Sequence, residues 1–309
     1  MHSADSSLLP YLCIFCFPFV KKYCTIKALR RFYRRSPTSN GFVRYQPYKQ
    51  STNMKKNLIA TVAVTAGMLA ASAPAATVDF GVDVKNAYVA SGVTCNNSAV
   101  AQPWIGIGDL KVGDVSLPLS LGVWGNIDLG KYTADPTLKS GRFSEIDFNI
   151  DLDLAAAFGL DENLTLMIGY LEYDYPRSGA DQDNVFVAKV GYDFGFFNTY
   201  VISKYRFGGS SEGKWEIFAG AGKDLTLATI ADTDLSLGLN AEVLYTDNNI
   251  DGAPHEHGFT CADLSASLGY GIGYVKAEYI ARMEDSMLPT GDFGYDVKWI
   301  FSAGVAYTF

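Results

Sequence analysis

The sequence predicts an all-β fold: a transmembrane, antiparallel, up-and-down β-barrel of about 12 strands, preceded by a signal peptide. Three observations carry that prediction. The last stretch alternates, with Tyr295, Val297, Trp299, Phe301, Ala303, Val305, Tyr307 and Phe309 on one side. Asp296, Lys298, Ile300, Ser302, Gly304, Ala306 and Thr308 take the other side, so an apolar face backs a mostly polar or small one. Such a strand suits a wall between lipid and a wet lumen. Upstream, Met54-Lys55-Lys56-Asn57, an apolar run over 58–71 and Ala73-Pro74-Ala75 read as the basic, hydrophobic and cleavage regions of a secretory signal peptide. After residue 75, no run approaches the 18 apolar residues of a membrane-spanning helix.

The chain divides into 1–53, a basic N-terminal extension, then 54–75, the signal peptide, then 76–309, the barrel. Residues 1–53 hold nine Lys or Arg against one acid, and three of the five cysteines. They read as a mis-assigned extension ahead of a start at Met54. The rival reading is a basic, membrane-proximal leader. Cys13-x-x-Cys16, with no second pair, is a weak metal or redox signal. Removing 1–75 takes eleven of 25 basic residues and one of 33 acids, leaving 14 against 32 and a net charge near −18. That balance argues against nucleic-acid binding and is ordinary for a cell-surface barrel.

From Ala76 the chain cuts into twelve segments: 77–91, 101–110, 115–128, 143–158, 163–175, 184–194, 198–207, 214–225, 234–246, 259–270, 272–284 and 294–309. Connections after the even segments are short. Those after odd segments are longer and rich in Gly, Asp, Asn and Ser, the asymmetry expected of a barrel with both termini in the periplasm. Closure follows, because an open edge in lipid leaves backbone groups unpaired. A soluble lipocalin-like barrel shares the alternation but reverses the faces. The signal peptide, the terminal Phe and aromatics near strand ends (Tyr88, Trp104, Tyr170, Trp215, Tyr245, Tyr270, Trp299) favour the membrane. Gly304, Tyr307 and Phe309 resemble the C-terminal signal read by the outer-membrane barrel-assembly machinery.

With apolar faces toward lipid, the opposite faces line a lumen. In segment 143–158, Ile146, Phe148, Ile150, Leu152 and Leu154 point out, while Glu145, Asp147, Asn149, Asp151 and Asp153 point in. Asp128, Glu242, Asp263 and Glu216 share that inward register, giving an acidic wall. Lys204 and Arg206, then Lys276, Arg282, Lys298 and Lys85, give basic walls. Either a transverse field orients solutes in a pore, or the charges pair and plug a narrow barrel. Glu172 and Asp174 fall on an otherwise apolar face, above the bilayer or after a register-shifting bulge. Cys95 and Cys261, the two cysteines of the barrel segment, are either a possible disulfide or two free thiols.

Other chemistry is thin. His255-Glu256-His257, with Asp251 nearby, reads as a solvated loop rather than a metal site. No Gly-x-Ser-x-Gly elbow accompanies those histidines. No cofactor motif is present.

Four strings, Asn86–Thr94, Val123–Leu129, Ser144–Phe148 and Ala262–Leu268, resemble the Gcw_chp-type family of bacterial outer-membrane proteins. The likeness is spread over most of 77–309 and implies an outer-membrane β-barrel, with no substrate or catalytic residues to carry over. Cys95 and Cys261 both depart from that pattern, which favours their pairing. The expectation is a non-enzymatic, porin-like channel in the bacterial outer membrane, partnered by lipid, the assembly machinery and small solutes or ions. A structural or surface-interaction barrel, or a lipid-acting enzyme, are the alternatives.

Overall fold

The computed structural model describes residues 76–112, 115–131, 140–176, 180–248, 256–288 and 294–309. The expected extension and signal peptide, together with Asp251 and His255, lie outside the described residues.

The chain opens with β1 (Thr77–Lys85), a small hairpin β2 (Tyr88–Ala90) and β3 (Val93–Asn96), and β4 (Val100–Gly108). A second small hairpin, β5 (Lys111–Val112) and β6 (Val115–Ser116), leads to β7 (Leu119–Asp128), β8 (Arg142–Asp153) and one helical turn, α1 (Leu154–Phe158). Then come β9 (Leu164–Asp174), β10 (Asp183–Asp193), β11 (Asn198–Gly208) and the two longest strands, β12 (Trp215–Ile230) and β13 (Thr233–Asn248). β14 (Glu256–Tyr270), β15 (Gly273–Arg282) and β16 (Trp299–Thr308) complete the chain. Twelve of these strands form one closed antiparallel barrel in chain order, and the two small hairpins stand apart from it. The seam pairs β1 with β16, from Asp79 opposite Thr308 to Lys85 opposite Ser302.

The connections after β1, β7, β9, β11, β13 and β15 lie at one end, the upper rim; the other end has tight turns after β10, β12 and β14, together with the β5–β6 hairpin and α1. One of the two-residue turns joins β12 to β13 through Ala231 and Asp232, both with positive φ (49° and 63°). Two consecutive left-handed residues are the geometry of a two-residue hairpin turn.

The faces are those of a membrane barrel, not of a soluble one. Phe80, Val84, Ile105, Ile150, Phe186, Val190, Leu264, Val275, Phe301 and Val305 are exposed on the outer wall. Of the ten largest side chains that are fully buried among the described residues, seven are polar: Gln102, Glu216, Asn96, Asn126, Thr94, Asp128 and Asp183. A barrel that buries polar groups and exposes apolar ones matches a lipid surround.

Several segment boundaries differ from the expectation. Segment 77–91 is not one strand: β1 stops at Lys85 and Tyr88 belongs to the separate hairpin. Segment 143–158 ends its strand at Asp153, whose side chain accepts the Ala156 N–H (3.0 Å) and caps α1, with Gly159 in the left-handed conformation closing it. Leu154 is therefore helical. β12 and β13 run past 225 and before 234. Tyr295 and Val297 precede β16 and turn inward, Tyr295 being 8 % exposed with its hydroxyl donating to the Ile280 carbonyl (2.7 Å). Trp104 faces inward beside Trp124, so neither it nor Tyr88 belongs to an interfacial girdle. Tyr170, Trp215, Tyr245, Tyr270 and Trp299 do stand on the outer wall, where Trp215 packs on Tyr205 (5.1 Å between ring centroids) and Trp299 on Tyr279 (4.7 Å). Strand β9 pairs with both neighbours without a register shift, so Glu172 stays outward near the upper rim, accepting the Tyr170 hydroxyl (2.9 Å).

Candidate functional site

The lumen has two unlike halves. The upper half is crossed by the β2–β3 hairpin. Asn86 starts this excursion. Its backbone N–H reaches the Phe301 carbonyl (3.1 Å), and its side chain takes the Phe301 N–H (2.7 Å) and donates to the Trp299 carbonyl (3.1 Å). With β16 satisfied in this way, the chain leaves the wall. Ser91 and Gly92, both at positive φ (52° and 81°), reverse it. Gly92 is required there, because a methyl group on it would come within 2.9 Å of the Cys261 sulfur and 3.1 Å of Leu288.

Every polar group of the hairpin that faces a wall finds a partner. Tyr88 donates to Glu145 on β8 (2.6 Å), Asn96 to Asp128 on β7 (2.7 Å), and Ser91, at the tip, to Glu216 on β12 (2.7 Å). The Thr94 hydroxyl accepts the Asp296 and Val297 N–H groups (3.2 and 3.0 Å). The hairpin thus starts at β1 and reaches β12, five places round a twelve-strand ring, so it spans the mouth. Burial, then the Glu145 charge, raises the Tyr88 phenol well above its usual range, which keeps it a donor. Burial, with Glu145 next, pushes the Cys95 thiol up to about 12.

Around the hairpin tip lies a charge network. Arg206 pairs with Asp183 (2.7 Å) and Glu216 (3.2 Å), and Lys214 also pairs with Glu216 (3.0 Å). Ser210 and the Ser211 N–H donate to Asp183 (3.1 and 2.9 Å). Arg206 stacks over the Tyr173 ring (4.8 Å), and Lys204 accompanies it, donating to the Tyr173 hydroxyl (3.2 Å). A buried ion shared between two carboxylates is tolerable where an isolated one is not.

The lower half is lined rather than filled, and glycine is the reason. A methyl group at Gly81 would come within 2.6 Å of the Trp104 ring, one at Gly220 within 2.5 Å of Tyr200, and one at Gly304 within 2.6 Å of Tyr274. Asn149 lies over Gly122 and Asp151 over Gly169 in the same manner. Each large inward side chain is thus laid flat on a bare patch of the neighbouring strand. The polar ends are held along the wall: Tyr200 donates to Glu242 (2.9 Å), Tyr274 to Asp83, Asn149 to Asp151 (2.5 Å), and Lys276 pairs with Glu278 (2.5 Å).

The ladder puts Glu145, Asp147 and Asp151 on the inner face of β8, Asp128 on β7, and Glu242 beside Asp263 across β13 and β14. Lys204 and Arg206 face inward on β11, Lys276 and Arg282 on β15, and Lys85 on β1 opposite Ser302. Two of the predicted lumen residues take other roles, and a third, Arg282, faces inward only at the rim. Asp153 is exposed and caps α1. Arg282 sits at the upper rim, paired with Asp285 (2.9 Å). Lys298 precedes β16 and lies over the Tyr295 ring (5.4 Å). The two thiols are free and do not form a disulfide. Cys95 donates to the Val93 carbonyl within its own hairpin (3.6 Å), whereas Cys261 is buried against Leu244, Ile280, Leu288, Tyr295 and Ile300. Asp183, Ser91 and Asp83 are partners that the strand pattern did not single out, although Asp83 lies two residues from Lys85 in one alternating run. Among the described residues His257 is the one histidine; it is exposed, and no serine hydroxyl donates to it.

One hollow, of about 580 Å³, lies on the outer wall between β12 and β16, where Ala221, Ala241, Ala266 and Ala277 leave a shallow apolar groove. A second, of about 330 Å³, opens inside the lower lumen along β1, β4 and β7.

No family model matches the chain, and no curated protein matches it. Among solved structures it is similar to an outer membrane channel from Pseudomonas putida F1, at 11% identity and a TM-score of 0.42, covering 76% of this chain and 94% of that one. It is also similar to outer membrane phospholipase A from Escherichia coli, at 12% identity and a TM-score of 0.36, covering 78% of this chain and 95% of that one.

Proposed function

We propose that the protein is a bacterial outer-membrane barrel acting as a narrow, gated channel for small solutes or ions, with its outer mouth closed in this conformation. The observation that carries this reading is the β2–β3 hairpin. It closes the mouth through hydrogen bonds and the apolar packing of Val89 and Val93, above a lower lumen whose side chains lie flat on the wall. Nothing covalent prevents it from lifting. The apolar outer wall supports residence in lipid, with the long loops outside and the short turns in the periplasm. Gly304, Tyr307 and Phe309 serve as the assembly signal in this reading, and the acidic inner wall of β7 and β8 favours cations.

The test is single-channel conductance in a planar bilayer, comparing the protein with a variant in which residues 87–98 are replaced by a short Gly-Ser loop. The channel reading expects rare, brief openings in the first and sustained conductance in the second. Changing Asp147 and Asp151 to Asn should then lower cation preference. A folded, hairpin-free barrel that never conducts rejects the channel and leaves a structural or surface-interaction barrel, which the closed mouth also suits. A lipid-acting enzyme needs a serine in reach of histidine, and the geometry at His257 gives it less support.

A further inference from the structure

We infer that the 330 Å³ hollow in the lower lumen is a binding site for a small organic ammonium solute. This rests on the channel reading, which makes the lumen a solute's path, and it names the class of solute. The hollow exists because of sequence. Gly106 and Gly108 on β4 meet nothing within 4 Å where a side chain would begin, so the wall is concave there. Trp104 and Trp124, opposite one another on β4 and β7, form its aromatic side. Trp104 lies with its ring against Gly81 on β1, which fixes its orientation.

The polar groups in the hollow are Asp79, Ser120 and Asn149. One Asp79 oxygen accepts the Thr308 hydroxyl (2.6 Å), a neutral donor that leaves the charge uncompensated. From Trp104 and Trp124 down to the lower rim, the inner positions of β4, β7 and β8 carry no basic side chain, while β8 adds Asp151. Indole faces attract a cation through their quadrupole, most strongly where water is thinned, and a nearby carboxylate adds direct attraction. A cation bearing methyl or methylene groups also buries apolar surface against the rings, which a bare metal ion does not. The volume lies at the small end of ligand pockets, and the position at the lower rim makes the site reachable with the outer hairpin closed.

The test is tryptophan fluorescence of the protein, expressed from the full chain and purified from membranes in detergent. It is titrated with choline chloride, with the neutral isostere 3,3-dimethylbutan-1-ol, and with sodium chloride at matched ionic strength. Two of the four tryptophans line the hollow, whereas Trp215 and Trp299 face outward. The expected result is a saturable change with choline that is about tenfold weaker with the isostere and absent with sodium chloride. Asp79→Asn should weaken choline by about tenfold. Gly106→Leu fills the hollow from a position with room for a side chain, so it should fold normally and abolish the response. An equal response to the isostere, or unchanged choline binding in Gly106→Leu, overturns the inference. The readout needs no conduction. A barrel that binds choline but never conducts keeps this site and loses the channel, and one that conducts without binding does the reverse.

Discussion

Replacing Ser91 with Ala is the sharpest test of the closed mouth. The lost contact is a hydroxyl-to-carboxylate hydrogen bond (2.7 Å) to Glu216. Hydrogen bonds to charged groups contribute about 1.5–3 kcal/mol. Glu216 keeps Arg206 and Lys214 at 3.2 and 3.0 Å, so it is not left as a bare buried charge. The loss therefore falls at the low end, about 1.5 kcal/mol, or roughly a tenfold rise in the lifted state. The molecule supplies its own reporter. Cys261 is 4 % exposed and lies beneath Gly92, with Leu288 and Tyr295 packed beside it, so lifting the hairpin uncovers one side of its sulfur. In a Cys95→Ser background, the rate of maleimide labelling at Cys261 follows that population when opening and reclosing are fast. Ser91→Ala should speed labelling about tenfold. Gly92→Ala, which puts a methyl group against the Cys261 sulfur at positive φ, should speed it at least as much. Unchanged rates in both variants would refute the idea that the hairpin is a liftable cover.

Three further outcomes follow from single contacts. Gly220→Val drives the Tyr200 ring off the wall and breaks its bond to Glu242; overpacking of this kind costs about 1–3 kcal/mol, read as a lower urea midpoint, and Tyr200→Ala in the same chain should restore most of it. Asp153→Ala removes the cap of α1 at a cost of about 1 kcal/mol, seen as faster amide exchange at Ala156, with Asp153→Asn close to neutral. Asp161, in the turn before β9, is held below its ordinary value of 3.8 by the Asn163 N–H and then the Tyr192 hydroxyl. Its contribution is present above that value and is lost as pH falls through the lowered one, so an NMR titration of the Asp161 carboxyl should show a midpoint below 3.8.

The barrel was legible because alternation is a local property. The run Glu145 to Asp153 shows its facing without reference to any other strand, and so does Trp299 to Phe309. What escaped is non-local. Alternation persists through Asn86, so β1 and β2 read as one strand, and only Ser91-Gly92 hinted at a reversal. That the reversal enters the lumen depends on Glu216, 125 residues away. Trp104 reads as an interfacial anchor because an indole next to lipid and one laid on a lumen glycine look alike in a string of letters; the glycine that decides it, Gly81, is on another strand. Tyr295 continued the pattern of β16 but is claimed by the Ile280 carbonyl before the strand begins.

The seam has a consequence for how the barrel is made. β1 and β16 join residues 229 apart in sequence, as Asp79 with Thr308, and contacts of such separation are the last to repay the entropy of closing the chain. The hairpin follows β1 immediately and its anchors lie on β7, β8 and β12, strands that pair with near neighbours in sequence. It leaves β1 and returns to β4 at the upper rim, where Lys85 pairs with Val100, so it enters the lumen over the rim and not through the wall. Sealing the cylinder is therefore the late step, corking the mouth can follow it, and a chain stalled before the seam closes would be an open-sided sheet.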